Sequence, residues 1–335
     1  MSKRRTKIPT PTWEHEQTGI TRKLEANRWQ LWATVGIVLL VVASLGVIGW
    51  AFLSDYIEDQ QRPGSLGLRV ADREFTVKEY SQRARLFAEQ SGITSAVSVI
   101  PALNADLIEE ALLLQFADEL SVTASEDEVR AEIASRLGIE VDEANFDARV
   151  EEELVRTGFS EEEYTDLARA DVLLEGMRDL FISEVADSLP SVNYRQIQVA
   201  DQETADDLLA QLDEGADFAT LAAESSLDTI SGEAGGEIGW VPEGVLGESE
   251  ESVLFALEVN EITTFTTGSA VFIYEVLEKS VGHEVAEDHR DTLGRAAYLD
   301  WLIEKQSSVE IVNEFDIQTG DADKLNYVII HANLN

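Results

Sequence analysis

The run Leu31–Leu53, LWATVGIVLLVVASLGVIGWAFL, holds 23 residues without a charge and constrains this chain more than any other stretch. As a helix rising 1.5 Å per residue it is roughly 34 Å long, enough to cross a bilayer core of about 30 Å. Trp29, Trp32, Trp50 and Tyr56 sit where aromatic belts form at the two interfaces. A cleaved signal peptide would carry an apolar core of about 7–15 residues followed by small residues. Here the exit is bulky, with Trp50 and Phe52. The expectation is a retained, single-pass anchor in the cell membrane. Residues 1–30 carry seven Lys/Arg against three Glu, whereas the rest carries 18 Lys/Arg against 62 Asp/Glu. That asymmetry puts a basic N-terminal tail in the cytoplasm and the acidic remainder outside.

The same charge excludes whole classes of function. A net charge of −40 leaves no basic stripe to release counterions, so nucleic acid is not a partner. No cysteine is present, which excludes disulfides, thiolate metal sites, a Cys nucleophile and a lipid-bearing cysteine. Four histidines without an H-E-x-x-H, and acidic residues without a D-x-D-x-D-G loop, give no metal site, and no small-molecule cofactor is expected. The glycine cluster GEAGGEIGWVPEG, 232–244, has the spacing G-x-x-G-G-x-x-G with no Gly-Lys-Ser/Thr after it. It reads as a tight turn into a short strand, with Trp240 packed behind it, rather than a phosphate loop.

Along the chain, 54–65 (polar, with Pro63-Gly64) reads as a linker, and LGLRVADREFT as a strand and turn. Thr76-x-x-Glu79, Ser125-x-x-Glu128 and Ser160-x-x-Glu163 are capping boxes. Ile108, Leu112, Phe116 and Leu120 recur as one face of a buried helix. Residues 66–189 therefore read as an α-helical domain ended by Leu189-Pro190. From Val192 the pattern changes to β-α-α-turn-β-α-β, a compact α/β unit over 190–281. A helix and strand follow over 282–312, and 313–335 is a tail without an assigned role. The fold class is α+β.

Tyr194–Val199, then G-x-D-F-x-x-L-A-x-x-S (215–225), S-x-D-x-x-S-x-x-x-G-G-x-x-G (226–239) and F-A-L (255–257) resemble the parvulin type of peptidyl-prolyl isomerase. The preceding helical domain, and a later helix containing Asp300-Trp301-Leu302, resemble extracytoplasmic folding factors of the SurA/PrsA type. The resemblance implies a C-terminal helix that returns to the helical domain, followed by a strand, Val309–Val312, opposite Leu68–Ala71. It also implies a peptidyl-prolyl cis-trans isomerase whose partners are unfolded or partly folded exported polypeptides.

Prolyl isomerisation faces a barrier of about 20 kcal/mol and needs no covalent step, only a pocket that favours the twisted amide. The resemblance implies two hydrogen-bonded histidines, a Cys or Asp near the carbonyl and an apolar ring pocket. In this chain the histidine positions fall at Gln196 and Phe272, and no histidine lies within 192–280. Asp228 takes the Cys/Asp position and Ser269 precedes the second histidine position. Leu246 takes one pocket position, and the pocket aromatic is replaced by Glu250. Asp228 also fits a turn cap, Ser269 a plain turn residue and Leu246 ordinary core. Glu250 in an apolar pocket must be solvated, paired or neutralised. Three functions stay open: a folding factor with weak isomerase activity, a non-catalytic holdase with a degenerate parvulin domain, and an acidic envelope scaffold.

Overall fold

The computed structural model of the chain describes residues 17–316 and 318–335, the side chains of 17–31, 34, 51, 52, 55 and 59 excepted. Helix α1 runs unbroken over Gln17–Gln61. The expected linker thus begins as helix: residues 54–61 contain no Gly or Pro, and the helix stops only before Pro63-Gly64. Among the residues whose side chains are described, no helix is long and apolar enough to cross a membrane. Leu31, Thr34, Ala51 and Phe52 of the expected span, and Trp29 beside it, lie outside them.

A second compact unit holds everything from Gly67 onward except 76–78. It opens with strands β1 (Leu66–Val70) and β2 (Arg73–Thr76). Helices α2 (Val77–Ser91), α3 (Ala96–Phe116), α4 (Glu126–Leu137), α5 (Phe146–Thr157) and α6 (Glu161–Glu184) follow. The sequence stops and starts these helices locally. Ser125 and Ser160 each accept from the backbone N–H three residues on, and Glu128 and Glu163 reach back to close both boxes. Gly138 and Gly158 end α4 and α5 in the left-handed conformation.

The second lobe is a four-stranded antiparallel sheet of order β4-β3-β6-β5. Its chain order is β3 (Ser188–Val199), α7 (Gln202–Asp213), α8 (Phe218–Ser225), α9 (Thr229–Glu233), β4 (Glu237–Pro242), α10 (Glu248–Ala256), β5 (Ile262–Thr266) and β6 (Val271–Glu284). Two features correct the sequence reading. Leu189-Pro190, read as the end of the helical domain, lies inside β3, where the ladder shifts register between Leu189 and Ser191 and leaves room for a residue without N–H. ITTFT, to which the β-α-α-turn-β-α-β order gives no strand, forms β5.

The sheet buries both faces. Ile197, Val199, Val271 and Ile273 pack under α7 and α8, while Val192, Tyr194, Tyr274 and Val276 pack with Leu254 of α10. Helix α11 (Glu287–Ser308) then returns to the helical lobe. Tyr298 and Trp301 join Leu113 of α3 and Leu173 and Met177 of α6 in one core, each large apolar side chain contributing about 1.5–3 kcal/mol. A side chain at Gly294 would sit 2.6–2.8 Å from Ile182, so glycine is what lets α11 lie against α6. Strand β7 (Ile311–Asn313) completes the small sheet, Val70 opposite Ile311 and Leu68 opposite Asn313. The tail is ordered: Phe315 is fully buried against the Tyr80 ring (3.8 Å), and α12 (Ala322–His331) follows it.

Candidate active site

The site is built on the α10 side of the sheet, where β3 and β6 run side by side. Gln196 lies directly opposite Tyr274 and Gln198 opposite Phe272, so these four share one face. Phe265 of β5 lies opposite Phe272. The positions of the two family histidines are therefore diagonal neighbours across one strand pair.

Asp228 reaches this face from the N-terminus of α9. Gln196 Nε2 donates to Asp228 Oδ2 (3.2 Å), as does Ser231 Oγ (2.5 Å). The backbone N–H groups of Ile230 and Ser231 donate to Oδ1 (3.2 and 3.3 Å). The Ser231 hydroxyl, aided by the Ser231 N–H, Gln196 and the Ile230 N–H, holds this carboxyl below its ordinary range, against a smaller opposing effect of burial. Asp228 is thus a helix cap and a partner of Gln196 at once. The glycine cluster sets this geometry. Gly235 and Gly236 both have positive φ, and Gly236 O accepts from Gln196 N (2.8 Å). A Cβ at Gly236 would sit 2.4 Å from the Gln196 carbonyl oxygen, so the turn must be glycine to lie this close to β3. Trp240 does not pack behind the turn; it stacks on His283 of β6 (4.1 Å, 15°).

Glu250 solves its burial problem by pairing. The Tyr274 hydroxyl, on a fully buried side chain, donates to Glu250 Oε1 (2.6 Å). Burial first, then that bond, pushes the Tyr274 phenol far above its ordinary range. Tyr274 in turn packs edge-on to Tyr194 (5.7 Å) and is stacked with Phe272 (5.9 Å) and Phe265 (6.1 Å). Where the resemblance implies a pocket aromatic this chain has Glu250, and the rings that pack here, Tyr274, Phe272 and Phe265, lie on the strands. Leu246 packs into the same cluster. Ser269 does not join it: it is exposed in the β5–β6 hairpin, where Thr267 and Ala270 close the turn.

A polar line therefore crosses the sheet face, Asp228 to Gln196, then across the strand pair to Tyr274 and Glu250. It lines up amide, carboxylate and phenol groups but contains no imidazole. Tyr274 and Ser231 escape a reading by family position. The available signal was an aromatic two residues after Phe272, on the same face of a strand. Among the described residues no group of three His, Asp or Glu side chains converges as a metal site.

Residues 182–280 match the PPIC-type PPIASE domain, and residues 22–178 match the SurA-like N-terminal domain. The foldase protein PrsA of Caldanaerobacter subterraneus is 33% identical over 162 residues, 47% of this chain and 49% of that one. The periplasmic chaperone PpiD of Haemophilus influenzae is 26% identical over 181 residues, 51% of this chain and 28% of that one. The chain thus spans about half of the first relative and just over a quarter of the second. A crystal structure of the peptidylprolyl isomerase PrsA from Bacillus anthracis is similar at a TM-score of 0.37 and 18% identity, covering 68% of this chain and 98% of that one. With a match to the SurA-like N-terminal domain ahead of a match to the PPIC-type PPIASE domain, the chain resembles the parvulin-type, SurA/PrsA-like folding factors.

Proposed function

We propose that this protein is a membrane-anchored, extracytoplasmic folding factor that binds unfolded or partly folded exported polypeptides and isomerises prolyl bonds weakly. The observation that carries the reading is the polar line Asp228–Gln196/Tyr274–Glu250, a parvulin face in which both imidazoles are replaced. Gln196 still donates, so a twisted amide finds some stabilisation, but Phe272 offers carbon where a second polar group would sit. The same replacement favours, as second reading, a holdase in which this face only recognises peptide.

Client affinity is assigned chiefly to the helical lobe. A cavity of about 540 Å³ lies among α4, α5 and α6, floored by Val129, Ile133, Phe146 and Tyr164. Its lining also includes Glu126, Asp127, Asp147, Glu151 and Glu161, so it offers apolar contact beside an acidic surface suited to basic segments. Ser191 lies directly opposite Ser280 in the β3–β6 ladder, so residues 192–279 are replaceable by a two-residue hairpin turn. The shortened chain is expected to keep most suppression of client aggregation while losing prolyl turnover. Lost suppression with the helical lobe still folded would move client binding to the sheet lobe. The whole chain should show both activities; a chain with neither is a scaffold.

The anchor is the uncharged run 31–53. Continuous helix through it, exposed Leu40 and Val47, and a Ser44 hydroxyl bonded back to the Leu40 carbonyl (2.8 Å) all suit a lipid surroundings. Protease added to intact cells should remove the acidic lobes and leave a small membrane fragment. Protection of the whole chain, or a mature N-terminus near residue 55, would overturn the topology.

A further inference from the structure

We propose that the sheet lobe selects prolines preceded by a cationic residue, with Glu250 as the residue that sets the preference. This rests on the peptide-binding reading of the Asp228–Gln196/Tyr274–Glu250 face. The first observation is local. Asp228 is bonded to Gln196 and Glu250 to Tyr274, and Gln196 and Tyr274 lie directly opposite each other across the β3–β6 pair. The buried Tyr274 hydroxyl holds one Glu250 oxygen, and Glu250 remains partly exposed at the rim of the Leu246–Phe272 surface. A proline ring laid on that apolar surface brings the side chain of the preceding residue toward one or other carboxylate.

The second observation is independent of the site. From Gln196 to Glu278 the chain contains no Lys, Arg or His, against 19 Asp and Glu. Flanking cations are occupied elsewhere. Arg195 pairs with Glu275 (2.6 Å) and lies over the Phe218 ring on the opposite face, and Lys279 donates to the Phe255 carbonyl (2.7 Å). A peptide on this face meets a field of one sign, which attracts Lys or Arg and repels Asp or Glu. The α10 N-terminus adds Glu248 and Glu251 to the same end of the surface.

The test uses the full chain in neutral detergent micelles and dye-labelled peptides Ala-Xaa-Pro-Phe, with Xaa Lys, Leu or Glu, read by anisotropy. The Lys peptide should bind about tenfold more tightly than the Glu peptide at about 20 mM salt, and the ratio should shrink severalfold at about 500 mM. Glu250→Gln keeps an acceptor for Tyr274, and it should cut the Lys-to-Leu ratio about threefold or more. A Lys-Ala control peptide must bind more weakly than Lys-Pro. Equal binding of the Lys and Glu peptides overturns the inference, as does a Lys preference untouched by Glu250→Gln or shared by Lys-Ala; in each case the peptide face itself stands. Failure of all three prolyl peptides overturns the face as a binding site, and this inference with it.

Discussion

Prolyl turnover rises about a hundredfold when Gln196→His and Phe272→His are combined with Glu250→Phe and Tyr274→Ile. The two strand positions are diagonal neighbours on one face, close enough for two rings to hydrogen-bond. The fourth change is needed because Tyr274 and Glu250 satisfy each other. Glu250→Phe alone would leave a fully buried phenol without its acceptor, a cost of about 1–3 kcal/mol. The chain with only the first three changes should therefore unfold earlier than the one with four, whatever its activity. Asp228→Ala is a poor control, since it also uncaps α9; Asp228→Asn keeps an acceptor for the cap and should remove most of the gain. A folded four-fold variant no faster than the natural chain would mean that the missing imidazoles are not what limits this face. Robust turnover by the natural chain, lost on Asp228→Asn, would make Asp228 the centre of a histidine-free isomerase.

What was legible in the sequence was what is encoded over a few residues. The Ser125 and Ser160 boxes close within three positions. The parvulin strand carrying Gln196, and the place of Asp228 beside it, follow from motif order, and the two residues do meet. Contacts that join distant positions were not legible. Glu250 and Tyr274 are 24 residues apart on different elements, so a carboxylate that looked stranded in an apolar pocket finds its partner only once β6 lies under α10. Pro190 reads as a breaker because the register shift that accommodates it belongs to the pairing with β6, not to β3 itself. Strand β5 carries a weaker signal: ITTFT is a short β-branched run without clear apolar–polar alternation. Trp240 beside its glycines suggested local packing, whereas its ring partner lies 43 positions away at His283.

The helical lobe should lose stability as pH rises from about 5 to about 8, and Glu79→Gln should reduce that loss, leaving only the share of Glu110. The cause is an ionic cluster in the core. Arg83 donates to Glu110 (2.9 Å) and lies 4.0 Å from Glu79; Arg73 contacts Glu79 (3.2 Å) and Asp166 (3.0 Å). Arg83, Glu79 and Glu110 are all buried, and Arg83 Nε and Nη1 and Arg73 Nε have no hydrogen-bond partner. Burial pushes Glu79 up to about 7, although Arg73 and Arg83 pull it down, and burial raises Glu110 as well. A carboxyl whose folded pKa lies above its unfolded value binds more protons when folded. Its stabilising contribution is complete below about 4.5 and disappears as pH passes about 7, a change on the order of 3 kcal/mol. The carboxylates held low by caps, such as Glu128, Asp217 and Asp228, act in the opposite sense, and only as pH falls below their ordinary range. The two windows do not overlap, so the maximum should lie near pH 5. Because the lobes need not unfold together, the measurement is hydrogen exchange of the α2 and α3 amides, corrected for intrinsic rates. Arg83→Met separates charge from packing: it should cost about 3–5 kcal/mol at pH 8, where Glu79 is ionised, and markedly less at pH 5, where Glu79 is protonated. A pH-independent cost would show that Arg83 acts through packing on Phe159 (5.2 Å from its ring) rather than through charge.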